Sequence, residues 1–299
     1  MNRAAGKGRL KVDRVALAFI GPALIFYVLF IIWPTVSSVY YSFTSWDGIS
    51  PKIHFVGLAN YKEIFTSARF GDALKNTVIL TVFISILENG FALGLALIVD
   101  NVRWFKNLFR SAFYIPVLIS GIVSGFIWKI MYNYNFGAIN SMLTSIGLGD
   151  YRQDWLGDTS LALLMVGVVL VWKGAGYYMI IYLASLQSVS TDIIEAAEID
   201  GASPMQKFKT ITLPLISGAF TINFTLSLIN GLKVFDQISV MTDGGPGFAT
   251  ETLVYLLYKV GFNEGRQGFG TAVGIVLLFI IIILNTIQQK FLRSREVQL

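Results

Sequence analysis

The sequence predicts an all-α membrane protein of six transmembrane helices, and three observations carry that prediction. Charged residues make up 14% of the 299-residue chain, against about 25% in soluble domains, and the mean hydropathy is +0.65. Six stretches approach or exceed the roughly 20 apolar residues that cross a bilayer as a helix. Lys and Arg are shared unequally between the segments joining those stretches.

In chain order, residues 1–14 read as a basic arm with Arg3, Lys7, Arg9, Lys11 and Arg14, and residues 15–299 as one transmembrane domain. The first span, near 15–40, follows the arm as a signal peptide would. Its apolar run is too long for such a peptide and continues through Ile32-Trp33-Pro34 without a small-x-small cleavage site, so it is expected to remain as an anchor. The second, near 74–99, is apolar except for Glu88 at its middle. The third, near 112–132, and the fourth, near 160–186, follow, the latter interrupted by Trp172-Lys173-Gly174-Ala175-Gly176-Tyr177-Tyr178. The fifth lies near 213–234 and the sixth near 269–292. Gly90-x-x-x-Gly94, Gly121-x-x-x-Gly125 and Gly270-x-x-x-Gly274 put small residues on one helix face and are expected to serve close packing within the bundle. No internal repeat or low-complexity segment is evident.

Orientation follows from the cations. With the N-terminus inside, 13 fall in cytoplasmic segments: five in the arm, then Arg103, Lys106, Arg110, Lys207, Lys209, Lys290, Arg293 and Arg295. Six fall outside: Lys52, Lys62, Arg69, Arg152, Lys259 and Arg266. Thirteen against six obeys the positive-inside rule. It also accounts for the net charge of +5 without nucleic acid as a partner.

This orientation places residues 190–212 in the cytoplasm, where they read as two short helices joined at a glycine. Asp192 is expected to cap the first, with Glu195 closing a capping box; Ser203 is expected to cap the second, with Pro204 at N1 and Gln206 at N3. Gly201 supplies the left-handed residue that ends the first helix. Two helices of about two turns are not stable alone, so the hairpin is expected to lean on a soluble partner.

The order Glu195-Ala196-Ala197, three residues to Gly201-Ala202, then Phe208, Ile211 and Leu213-Pro214 resembles the EAA loop of the membrane subunits of binding-protein-dependent ABC importers. Phe55-Val56-Gly57-Leu58-Ala59-Asn60-Tyr61, Phe235-Asp236 and Thr242-Asp243-Gly244-Gly245-Pro246-Gly247 resemble the sugar-type branch, in its first-permease (maltose, lactose and glycerol-3-phosphate) form. The resemblance implies a type I ABC importer permease fold with both termini cytoplasmic, in a prokaryotic inner (plasma) membrane. It makes the hairpin a coupling helix that docks on an ATPase through Glu195, Ala196, Ala197, Asp200, Gly201, Ala202 and Phe208. The implied partners are a second, non-identical permease, two copies of an ABC ATPase holding ATP and Mg, an extracytoplasmic solute-binding protein, membrane lipid and a carbohydrate. It also makes the 243–247 turn part of the outer surface that meets the binding protein.

Catalysis and metal binding find no residues to carry them. The chain has no cysteine and one histidine, His54, in an external loop. No G-x-x-x-x-G-K-[ST] occurs, and Gly6-Lys7 has no glycine five residues upstream. The chain is therefore expected to be non-catalytic and to hold no cofactor of its own, with ATP and Mg on the partner.

Polar residues inside spans are costly and mark function by default. Glu88 is either neutral, paired with a lysine of another helix, or facing the solute path. Resemblance to sugar permeases places path-lining positions near Lys173, Gly174 and Tyr177 on the fourth span, then Ser227, Asn230 and Gly231 on the fifth. The alternative is that Tyr177 and Tyr178 are interfacial aromatics and that Lys173 pairs with Glu88 or lipid phosphate. Lys233 and Asp236, three apart, are expected to form an ion pair on one helix face.

Two other classes compete. A stand-alone secondary transporter would show inverted repeats or a row of intramembrane acids, and a membrane enzyme would show clustered His, Asp or Glu. Neither pattern is present, whereas a permease for a non-sugar solute stays open because related loops occur across the ABC family.

Overall fold

The computed structural model describes residues 14–102, 104–294 and 296; the basic arm apart from Arg14, together with Arg103 and Arg295, lies outside them. Among the described residues all regular structure is helical, with a single antiparallel bridge between Thr44 and Phe55. Helix α1 runs over 14–41, as Arg14–Tyr27, a wide π turn at Val28–Ile32, and Trp33–Tyr41. From Phe19 onward none of its side chains is buried, as suits a helix whose solvent is lipid. A short amphipathic helix, α2 (Ala59–Thr66), precedes α3 (Ala68–Asn101), the 34-residue mast of the bundle. Ser67 caps α3 by accepting the Phe70 N–H, and no proline interrupts it.

Residues 106–131 depart from the expected single span. They form α4 (Lys106–Leu118) and α5 (Gly121–Met131), bent by 94°. The bend has a local cause. Pro116 brings no N–H to the last turn of α4, and Ile119 is extended. Ser120 then restarts the helix by accepting the Val123 N–H. A short helix, α6 (Ala138–Ser145), leads to α7 (Ala162–Leu186), which packs along α3.

The hairpin follows as α8 (Thr191–Ile199) and α9 (Pro204–Leu215). The expected fifth span is likewise broken, because α9 meets α10 (Ser217–Leu232) at 66°. Pro214 and the π turn at Phe208–Thr212 are recognised causes of such a kink. Beyond α10 lie α11 (Asp236–Met241), α12 (Leu253–Tyr258, extended by a π turn at Lys259–Asn263) and α13 (Gln267–Arg293). Among the described residues four helices are thus long and apolar enough to cross a membrane alone, and up to six if each bent pair is one span.

The buried core forms three clusters: Leu80, Ile84, Val166 and Val169 of α3 and α7 pack with Ile238 of α11; Ala96, Tyr182 and Ala219 meet where α3, α7 and α10 come together; and Ile64, Leu253 and Val273 join α2, α12 and α13. Two of the three glycine pairs pack as expected. A Cβ on Gly125 would press on Val240, and one on Gly274 on Leu257, whereas Gly90 and Gly94 have nothing within 4 Å and face outward. The loop between α11 and α12 is fastened to α3. Arg69 grips Glu251 through two hydrogen bonds of 2.8 Å, Asn76 donates to the Phe248 and Glu251 carbonyls, and Thr77 Oγ1 accepts the Leu253 N–H.

Candidate functional site

Two features stand apart from the packing of the bundle, and the first is the hairpin. Gly201 adopts φ +77°. Its N–H donates to the Glu198 carbonyl, and that of Ala202 to the Ala197 carbonyl, at 3.0 and 2.9 Å. These bonds form a Schellman closure, which satisfies carbonyls that the helix end would otherwise orphan. At Ser203 the capping box is complete: its Oγ accepts the Gln206 N–H, and Gln206 Oε1 accepts the Ser203 N–H. The first cap differs from expectation. Ser190, not Asp192, holds that position, its Oγ accepting the Asp192 N–H, so Asp192 sits in the first turn and Glu195 closes no box. A serine after Val189 makes a cap as well as an aspartate does, and the helix simply starts one turn-fraction earlier.

Lys207 reaches across the turn to pair with Glu198, joining the two helices. The carboxylate of Glu195, Ala196, Asp200 and Gly201 are exposed, while Ala197, Ala202 and Phe208 are half-buried in the angle of the hairpin. The sequence reading missed the apolar tip. Ile199 is 87% and Met205 61% exposed. Their signal was present in the sequence as isolated large apolar residues within a polar segment.

The second feature is a cleft of about 400 Å³ between α3, α7, α10 and the α4–α5 break. It gathers Glu88, Lys173, Gly174, Tyr177 and Asn230 with Tyr178, Lys233, Asp236 and Gln237. Glu88 comes from the middle of α3 and is 5% exposed. Its room is made by Gly174, where a Cβ would fall on Glu88 Oε1. Gly121, first residue of α5, makes room for the Asp236 carboxylate in the same way. Asn230 donates to the Tyr178 hydroxyl at 3.2 Å, and Gln237 to the Ser124 hydroxyl at 3.3 Å.

Ser227 and Gly231 lie outside the lining. Ser227 is buried behind it, accepting from Asn89 Nδ2 at 3.1 Å, and Gly231 lets α10 close on Thr81 and Ile84 of α3. Asn89 also accepts the Tyr182 hydroxyl at 2.8 Å, so one side chain ties the three core helices together. The polar residues Thr77, Thr81, Ser85 and Asn89 recur every four positions, a helix face legible in the sequence but not read from it. Lys233 and Asp236 form no ion pair; α10 ends at Leu232 and α11 begins at Asp236, so the two never share a helix face. Lys173 and Glu88 are likewise not within ion-pair distance, although Lys173 is in electrostatic reach. Among the described residues no group of three or more His, Cys, Asp or Glu could hold a metal ion.

Comparison with known proteins places the chain in a family. Residues 88–297 match the profile of the binding-protein-dependent transport system inner membrane component. A probable starch degradation products transport system permease protein of Thermoanaerobacterium thermosulfurigenes is 34% identical over 94% of this chain and 94% of its own. A trehalose/maltose transport system permease protein of Thermococcus litoralis is 33% identical over 99% of both chains. An sn-glycerol-3-phosphate transport system permease protein of Agrobacterium fabrum is 32% identical over 92% and 94%. In fold, the chain superposes with a TM-score of 0.83 at 24% identity on a bacterial ABC transporter involved in the import of the acidic polysaccharide alginate, covering 94% of this chain and 96% of that one.

Proposed function

This chain belongs to the family of binding-protein-dependent transport system inner membrane components, and we propose that it is the permease subunit of an ATP-driven importer for a carbohydrate. The observation that carries the proposal is the hairpin. A doubly capped turn with Ile199 and Met205 exposed at its tip is a poor surface to leave in water and a good one to seat in an ATPase groove. Relatives named for starch degradation products and for trehalose and maltose support a sugar cargo.

In this reading residues 15–299 form one permease domain behind the 1–14 arm, each bent pair crosses the membrane once, and both termini are cytoplasmic. Glu195, Ala196, Ala197, Asp200, Gly201, Ala202 and Phe208 form the ATPase-docking surface together with the apolar tip. The cleft residues Glu88, Lys173, Gly174, Tyr177 and Asn230 line half of the solute path, while Ser227 and Gly231 hold α10 in register behind them. A second permease supplies the other half. Two ATPase subunits bind ATP and Mg, and their closure draws the two hairpins together, opening the path toward a solute-loaded binding protein outside. Hydrolysis and separation reset it. Rigid transmission is possible because the kink at Ile216 links the hairpin directly to α10, which borders the cleft.

The test is to tag the chain in its host, solubilise gently and identify what co-purifies. An ATPase and a second permease, both lost on Gly201→Asp while the chain still inserts, are the expected result. Recovery of the chain alone, active in liposomes without ATP, would refute the importer reading in favour of a secondary transporter.

A further inference from the structure

We propose that the space between α3, α4 and α7 is a lipid site, which seats an acyl chain of an anionic phospholipid with the headgroup on Arg110. The cavity holds about 670 Å³ and lies behind the solute cleft. On α7, Lys173, Gly174 and Tyr177 line the cleft, while Trp172, Ala175 and Gly176 line this cavity; on α4, Val117 lines the one and Pro116 the other. It forms because α4 approaches α7 closely, where Gly176 leaves room for the Phe113 carbonyl, and stands away from α3. The walls are apolar, and the Trp172 indole is the only hydrogen-bonding side chain in them. Such a space offers water and polar solutes no partners, and hydrocarbon is the ligand that fits it.

The polar part of the site lies where the three helices end. Gln187, just past α7, accepts from Arg110 at 3.0 Å and donates to Asp100 of α3 at 3.4 Å. Asp100 is paired with Lys106 at 2.9 Å, so among the described residues the Arg110 guanidinium has no carboxylate partner. Arg110 and Phe113 are three apart on one face of α4, which sets this cation at the mouth of the cavity. Trp104 and Phe105, 80% and 73% exposed, precede α4 as interfacial aromatics do. Together they mark a headgroup level. Leu95 and Leu87 lie roughly 8 and 20 Å from Asp100 along α3, at 1.5 Å per residue, and so at the depth of the acyl chains of one leaflet. A partner's helix, about 10–12 Å wide, would need roughly 900 Å³ over that stretch and overfills the cavity. The site rests on the fold alone; its assignment to the cytoplasmic leaflet rests on the permease reading above.

The test uses the full chain, purified with whatever subunits accompany it, in phosphatidylcholine nanodiscs. Two trace probes carry the same photoactivatable diazirine in one acyl chain, one a phosphatidylglycerol and the other a phosphatidylcholine. Cross-links mapped by mass spectrometry should concentrate on residues 87–95 and 112–116 rather than on the exposed α1. A cation at the membrane surface is worth a roughly fivefold preference for anionic lipid, so phosphatidylglycerol should label these residues about that much more strongly. Arg110→Gln should bring the two probes to parity, and Arg110→Lys should retain the preference. Ala112→Trp, which fills the cavity from an exposed position, should reduce labelling there by both probes and leave that of α1 unchanged. Labelling spread evenly over the lipid-facing helices, equal labelling by the two probes in wild type, or an unchanged ratio in Arg110→Gln overturns the assignment. So does a cross-link from Ala112→Cys, in a chain with no other cysteine, to an accompanying subunit at a position where lipid leaves no label. None of these readouts needs an ATPase, so failure of the importer reading would be seen separately.

Discussion

Replacing Gly201 by alanine isolates the turn of the hairpin from everything around it. The residue sits at φ +77° with nothing within 4 Å of a built Cβ, so alanine meets no steric obstacle and suffers only the left-handed backbone. That conformation costs an L-residue about 1–2 kcal/mol, which divides the ratio of correctly turned to unturned hairpin by roughly 5–30. Asparagine visits this region more readily and serves at such helix ends in place of glycine. The assay is binding of the solubilised permease to its ATPase subunit, followed by solute-stimulated ATP hydrolysis in liposomes. Gly201→Ala should weaken docking by up to that factor, and Gly201→Asn should stay much closer to wild type. Equal behaviour of alanine and wild type would show that the turn does not limit docking. Asparagine as damaging as alanine would show that the residue is read by contact with the partner, and the conformational argument would fail.

The other expectations concern the core and the loop between α11 and α12. Asn89→Ala removes the bonds to Tyr182 and Ser227 and leaves both hydroxyls short of a partner; a loss of about 1–2 kcal/mol should appear as a lower unfolding temperature in detergent, with hairpin docking unchanged. In the loop between α11 and α12, the Asp243 carboxyl is held below its ordinary range by the Tyr255 hydroxyl and then by Lys259. The stabilisation is therefore fully present above the unfolded carboxyl value near about 4 and is lost as pH falls below it. Amide exchange across 242–252 should accelerate only in that acid window, and Asp243→Asn should flatten the dependence.

The hairpin was the most legible part of this protein. Its two caps and its glycine turn are local devices, fixed by residues three or four apart, and Ser203, Pro204, Gln206 and Gly201 adopt the expected roles. The error there was equally local, since Ser190 and Asp192 are both competent caps and the choice between them turns on where the preceding helix lets go. The cleft was only partly legible. Glu88, Lys173, Gly174, Tyr177 and Asn230 stood out as polar or small residues in apolar spans, but Ser227 and Gly231 carry the same signal and lie behind the lining. Spacing along one helix does not reveal which neighbour it faces.

What the sequence by itself determined was the solvent of this chain, its helical class, its charge asymmetry and the chemistry of its short caps, because composition and near-neighbour geometry fix all of these. The tertiary structure alone decided which polar residues line the cleft and which lie behind it, and the meeting of Glu88 with Gly174. Each depends on how α3, α7 and α10 approach one another across many tens of residues. A carboxylate can lie buried beside a glycine only after two helices have packed, and no periodicity within either helix contains that distance.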